Sequence, residues 1–116
     1  IGGGGLLSGM GTAARALKPD IGLIGVQAEL YPSMYALLKN LQMPCEGDTL
    51  AEGIAVKIPG AFTSEVIREL VDEIVLVSEA ELETAGRPST LVLQVKREVL
   101  SKHNVPLMEY PLQTVA

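Results

Sequence analysis

Tryptophan is absent from this chain of 116 residues, and aromatic side chains make up only 3% of it. A core built on stacked rings is therefore excluded, and Leu, Ile, Val and Ala must fill the interior. The single cysteine, Cys45, cannot form an internal disulfide and suits a reducing, cytoplasmic setting. No cationic partner lies near it in sequence, so it reads as a spectator. The lone histidine, His103, sits in a weakly patterned tail and reads as a surface or capping residue rather than a catalytic one. Positive charge is scarce, with nine Lys and Arg against fourteen Asp and Glu and a net charge of −5. Nucleic acid requires a clustered basic face, so it is not an expected partner. No apolar run reaches membrane-spanning length, and no basic stretch leads into a signal-like segment. The first residue is Ile1 rather than Met, so the expectation is a processed chain or a piece of a longer one.

What is present is glycine at the front. Gly2-Gly3-Gly4-Gly5 is followed at once by a helix-like pattern from Leu6 to Leu17. Glycine lacks a Cβ, so such a run lets the backbone turn sharply and bring several N–H groups onto a bound group. A helix N-terminus directly after it adds free N–H groups and a positive dipole end. Phosphate is the usual guest of such a site. A flexible linker would look similar. No Gly-Lys-Ser/Thr follows, which excludes a Walker loop, and no strand precedes the run as a dinucleotide fingerprint requires.

With 47% hydrophobic and 20% charged residues, the chain reads as one small globular domain with a modest core. Lys18-Pro19-Asp20 ends the first helix. Ile21 to Gln27 is short, apolar and branched, as a buried parallel strand should be, and its two glycines suggest close approach of a neighbouring backbone. Pro32-Ser33 starts a second helix, with Met34, Leu37, Leu38 and Leu41 on one apolar face. Residues 42–60 are rich in Pro and Gly and read as a long loop around the apolar stretch Leu50 to Val56; such loops are often functional. A third helix is expected from about Thr63 to Val71, with Phe62, Val66, Ile67, Leu70 and Val71 on one side. The strand Glu73 to Val77 follows, then a capping box in which Ser78 caps a helix and Glu81 reaches back. Alternation of helix and strand predicts an α/β fold with parallel strands. After Gly86 the character changes. Residues 90–95 read as a strand, 96–103 as a short helix, and 105–116 as a segment of little order. Residues 1–85 thus form one unit and 86–116 an unassigned tail.

Together these segments resemble the fold-type II pyridoxal-phosphate enzymes. Gly2-Gly3-Gly4-Gly5-Leu6-Leu7-Ser8-Gly9 resembles their phosphate loop. Ile24 to Glu29, Pro32-Ser33-Met34-Tyr35, Thr49 to Lys57 and Ile67 to Val75 follow in the family's order, and the pattern is similar to threonine ammonia-lyase (threonine dehydratase) and to serine racemase. The resemblance covers residues 1 to about 85. It implies part of a three-layer α/β/α domain with pyridoxal 5'-phosphate as cofactor. It places Gly2, Gly3, Gly4, Gly5 and Leu6 on the cofactor phosphate, and Glu52 and Gly53 beside the ring and substrate. The implied chemistry is loss of water from L-threonine or L-serine, giving 2-oxobutyrate or pyruvate with ammonia, in amino-acid catabolism or isoleucine biosynthesis.

The departures are equally informative. The family carries its Schiff-base lysine in a Ser-Phe-Lys-x-Arg-Gly motif well upstream of the glycines, and no such motif occurs here. Lys18, Lys39, Lys57, Lys96 and Lys102 all lie in other contexts. No catalytic residue is therefore assigned, and turnover by this chain alone is not expected. Serine racemase holds a divalent cation with two carboxylates; Gln27 and Ser33 occupy the matching positions and are poor ligands for a hard cation, so no metal site is assigned, although Glu29 lies close by. Three readings follow: a piece of a threonine/serine ammonia-lyase, a non-catalytic phosphate-binding or interaction module, or the product of a disrupted gene. Strands lacking their neighbours would expose edges, which predicts marginal stability or self-association into a homo-oligomer.

Overall fold

A computed structural model describes residues 1–85. The strand and helix expected over 90–103, and the tail as a whole, lie outside the described residues. Six principal elements follow one another: α1 (Gly5–Leu17), β1 (Ile24–Ala28), α2 (Ser33–Lys39), α3 (Ala61–Leu70), β2 (Glu73–Val77) and α4 (Glu79–Ala85). A single 3-10 turn, Glu52–Ile54, interrupts the loop between α2 and α3. The two strands pair in parallel, from Ile24 beside Glu73 to Ala28 beside Val77. The expected α/β alternation with parallel strands is thus the architecture found.

Local chemistry explains most of the boundaries. Asn40 takes a left-handed conformation and ends α2, while the Leu41 N–H turns back to the Ala36 carbonyl at 2.8 Å. Ser78 and Glu81 form the expected capping box. Glu81 Oε2 accepts the Ser78 N–H at 2.8 Å, and the Glu81 N–H donates to Ser78 Oγ at 3.2 Å. Two boundaries moved. The first strand begins at Ile24 rather than Ile21, because Ile21 and Leu23 direct their N–H groups elsewhere. The Ile21 N–H closes a turn onto Lys18 at 3.0 Å, and the Leu23 N–H donates to Asp72 Oδ2 at 2.7 Å. The third helix starts at Ala61, with Gly60 as its N-cap.

The core is small. Met34, Ile67 and Ile74 form its centre, with Ile1, Leu7, Tyr35, Leu38 and Val71 packed around it. The expected apolar stripes are only partly buried. Met34 has no exposed surface, whereas Leu37 and Leu41 on the same face are 42% and 50% exposed. On α3, Ile67 is fully buried while Phe62 is 76% exposed. Periodicity identifies the side of a helix that can be buried; the neighbours present decide how much of it is. Gly25 also differs in detail from the expectation. A Cβ there would lie 2.5 Å from Ile1 Cδ1 and 3.2 Å from Leu7 Cδ2, so side chains, not a backbone, crowd it.

Arg15 ties the far ends of three segments together. Its guanidinium donates to the Leu70 carbonyl at 2.7 Å and the Pro19 carbonyl at 3.1 Å, and lies 3.7 Å from Asp72 Oδ2. The ion pair is partly exposed, so its importance lies in joining the end of α1 to the α3–β2 connection more than in charge.

If this core organises the fold, Ile67→Ala should cost about 2–5 kcal/mol in urea unfolding. Phe62→Ala should change stability by less than about 0.5 kcal/mol. Equal effects of the two substitutions would place the core elsewhere.

Candidate functional site

The four glycines form a tight passage into α1. Gly4 is its N-cap and takes φ +96°, the left-handed region that L side chains rarely adopt. A Cβ at that position would stand 2.8 Å from Met34 Cε and 2.9 Å from both Ile67 Cδ1 and Thr63 Oγ1. The loop therefore rests directly on the core at Gly4. Gly3 and Gly5 are the opposite case, because a Cβ on either would meet nothing within 4 Å. One position of the loop is pressed inward, and its neighbours leave open space.

No side chain caps α1, and its first turn carries no acidic residue. The first helical hydrogen bond runs from the Ser8 N–H to the Gly4 carbonyl at 2.9 Å. The amides of Gly5, Leu6 and Leu7 thus precede any intrahelical acceptor and, with the dipole, favour an anion. The loop borders a cleft of about 360 Å³ lined by Gly2 to Leu7, Gly25, Val26, Gly53 and Ile54, with Ile1 and Met10 at its sides. The Ile1 nitrogen donates to the Val26 carbonyl at 2.5 Å.

The structure brings the glycines, Leu6 and Gly53 to one cleft. Glu52 is not among the residues lining it; it stands exposed at the start of the 3-10 turn, and its carbonyl accepts the Ala55 N–H at 3.1 Å. Gln27 and Ser33 are both engaged as connectors. Gln27 is 1% exposed; its Oε1 accepts the Tyr35 N–H at 2.9 Å and its Nε2 donates to the Ile1 carbonyl at 3.4 Å. Ser33 Oγ donates to the Val56 carbonyl at 2.6 Å, holding the loop that carries Gly53. Three residues under the glycines escaped the sequence reading: Met34 as the support of Gly4, and Gly60 and Thr63 as partners of Gly3. Met34 was marked only as part of an apolar stripe, and Gly60 and Thr63 read as an ordinary helix entry.

A glycine passage leads onto an uncapped helix that borders an open cleft beside parallel strands, an α/β unit whose helix N-terminus favours an anion. Residues 1–87 match the family described as pyridoxal-phosphate dependent enzyme. The chain belongs to that family. It is 47% identical over 87 residues to an L-threonine ammonia-lyase of Thermotoga maritima, covering 73% of this chain and 22% of that one. Among solved structures it resembles a threonine deaminase of T.th., with a TM-score of 0.71 and 29% identity over 93% of this chain and 42% of that one. It also resembles serine racemase from Dictyostelium discoideum, with a TM-score of 0.68 and 28% identity over 90% of this chain and 38% of that one. The chain thus spans about a fifth of the length of its curated relative. The family's cofactor is pyridoxal phosphate. The residues present fit its phosphate: a glycine cradle open at Gly3 and Gly5, free first-turn amides and no carboxylate in that turn.

Gly4→Ala should cost about 2 kcal/mol or more, because it adds left-handed strain to a contact with the core. Gly5→Ala enters open space and should change stability by less than about 1 kcal/mol. Chemical denaturation of both variants checks this, and an equal cost would mean the loop does not rest on Met34 and Ile67.

Proposed function

We propose that this chain is the phosphate-loop portion of a pyridoxal-phosphate-dependent threonine/serine ammonia-lyase, and that Gly2 to Leu6 hold the cofactor phosphate. The observation that carries the reading is the glycine passage, pressed inward at Gly4 and open at Gly3 and Gly5 where a phosphate would meet backbone N–H groups. The names of the relatives, threonine ammonia-lyase and threonine deaminase, supply the reaction. In that reaction L-threonine loses its α-proton and its β-hydroxyl, departing together as water. The resulting enamine takes up water and releases ammonia, leaving 2-oxobutyrate. When bound, the cofactor supplies an electron sink for the pair left at the α-carbon. This chain's share is binding: N–H groups on the phosphate, and Gly53 and Ile54 closing the opposite side of the cleft. The amino-acid substrate would enter beside Gly53, with Glu52 at the rim.

No lysine lines the cleft among the described residues, and none of the chain's lysines stands in the family's Schiff-base motif. The chain by itself therefore binds without turning over, and catalysis needs a lysine from another segment. The outer edge of β1 carries no third strand among the described residues, and Leu6, Met10 and Val26 are exposed near it. That edge favours self-association. No helix among the described residues is long and apolar enough to cross a membrane.

Thermal unfolding with and without pyridoxal phosphate tests the reading. A ligand at about 100 times its Kd stabilises by about 2.7 kcal/mol, so the midpoint should rise clearly. Inorganic phosphate should compete, and threonine should yield no 2-oxobutyrate. No shift with either ligand would defeat the binding reading; ketoacid formation by the chain alone would defeat the claim that a second segment is needed.

A further inference from the structure

Thr63 stands 60 residues from the glycine loop, yet its hydroxyl donates to the Gly3 carbonyl at 2.5 Å. The Gly60 N–H reaches the same oxygen at 3.2 Å, so two donors from the entry of α3 converge on one carbonyl of the loop. The local alternative, a helix-entry hydroxyl bonded within its own turn, is present but longer: Thr63 Oγ1 lies 3.1 Å from the Gly60 carbonyl. The space for this hydroxyl is made by two glycines. A Cβ on Gly60 would lie 2.5 Å from Thr63 Oγ1, and one on Gly4 would lie 2.9 Å from it. The Thr63 carbonyl also accepts from Ser8 Oγ at 3.4 Å, which ties the first turn of α1 to the same residue.

The planar trans peptide makes this matter. The carbonyl of Gly3 and the N–H of Gly4 point in opposite directions across one rigid unit. Fixing the carbonyl toward α3 turns the Gly4 N–H away from α3. Resting on the reading of the cleft as a phosphate site, we propose that Thr63 is a positioning residue of that site: its hydroxyl locks the Gly3–Gly4 peptide so that the Gly4 N–H is presented to the anion. Thr63 touches no ligand in this role. Its branched Cβ restricts the side chain to few rotamers, which suits a fixed latch.

The test compares Thr63→Val, which keeps the shape and removes the hydroxyl, with Thr63→Ser, which keeps the hydroxyl. Inorganic phosphate binding to the full chain is measured by calorimetry, and the Gly4 amide is followed by nitrogen-15 NMR in the unliganded chain. Thr63→Val should weaken phosphate roughly three- to tenfold, the worth of one hydrogen bond, and should move the Gly4 amide resonance. Thr63→Ser should restore both. Wild-type affinity in a folded Thr63→Val chain overturns the proposal, whatever its melting temperature. Equal weakening in both variants also overturns it, because the hydroxyl would then not be the cause. If the wild-type chain binds neither phosphate nor pyridoxal phosphate, the phosphate reading itself fails and takes this proposal with it; the wild-type arm alone decides that case.

Discussion

One contact governs the molecule: the missing side chain of Gly4 against Met34, Ile67 and Thr63. Because no atom projects from that α-carbon, the loop can lie on the two most deeply buried side chains of the core. Ile67 and Met34 come from different helices, α3 and α2, so the glycine is the point where three segments meet. The core and the candidate site are therefore one unit. Loosening the hydrophobic centre would blur the loop, and any side chain at Gly4 would push the two helices apart. Shape complementarity of this kind is unforgiving, since packed interiors relax only partly around an added atom.

Around that contact, polar side chains do the joining that a larger core would otherwise do. Gln27 links the strand to α2 and to Ile1; Ser33 links α2 to the loop at Val56; Arg15 links α1 to the end of α3. Each joins side chain to backbone between separate segments. A domain with so few large buried side chains depends on such bonds for a unique arrangement, because aliphatic packing alone tolerates several. The same small core leaves Leu37, Leu41 and Phe62 in solvent on faces whose periodicity marks them for burial. Those residues fit a chain that matches about a fifth of its curated relative.

Much of this was readable from residues alone, and the reasons differ by feature. The capping box at Ser78 and Glu81 is a local rule with a local outcome, and it forms as expected. The run of glycines pointed to a sharp backbone passage into α1, but the sequence did not show that, of the four, Gly4 alone combines positive φ with close approach. The parallel pairing followed from alternation of apolar strands and helices. The start of β1 was not legible, because Leu23 is as apolar as Ile24; its N–H is diverted by Asp72, which lies 49 residues away. Thr63 and Gly60 were hidden for the same reason. Their contact with the loop is set by a carbonyl some 60 residues distant in sequence, and no periodicity carries that information. The placement of Glu52 outside the cleft follows from the 3-10 turn, which directs Gly53 and Ile54 inward instead.

The loop that carries Gly53 and Ile54 has its own anchor. Glu79, at the head of α4, accepts the Thr49 hydroxyl at 2.6 Å and the Leu50 N–H at 2.8 Å, and Thr49 Oγ1 in turn accepts the Ala51 N–H at 3.1 Å. The far wall of the cleft is thus suspended from a carboxylate that lies just beyond β2. During synthesis the glycines emerge well before this tether. The nascent chain consequently exposes half of the cleft until Glu79 clears the ribosome, and the order of translation sets the earliest moment at which its far wall can be fixed.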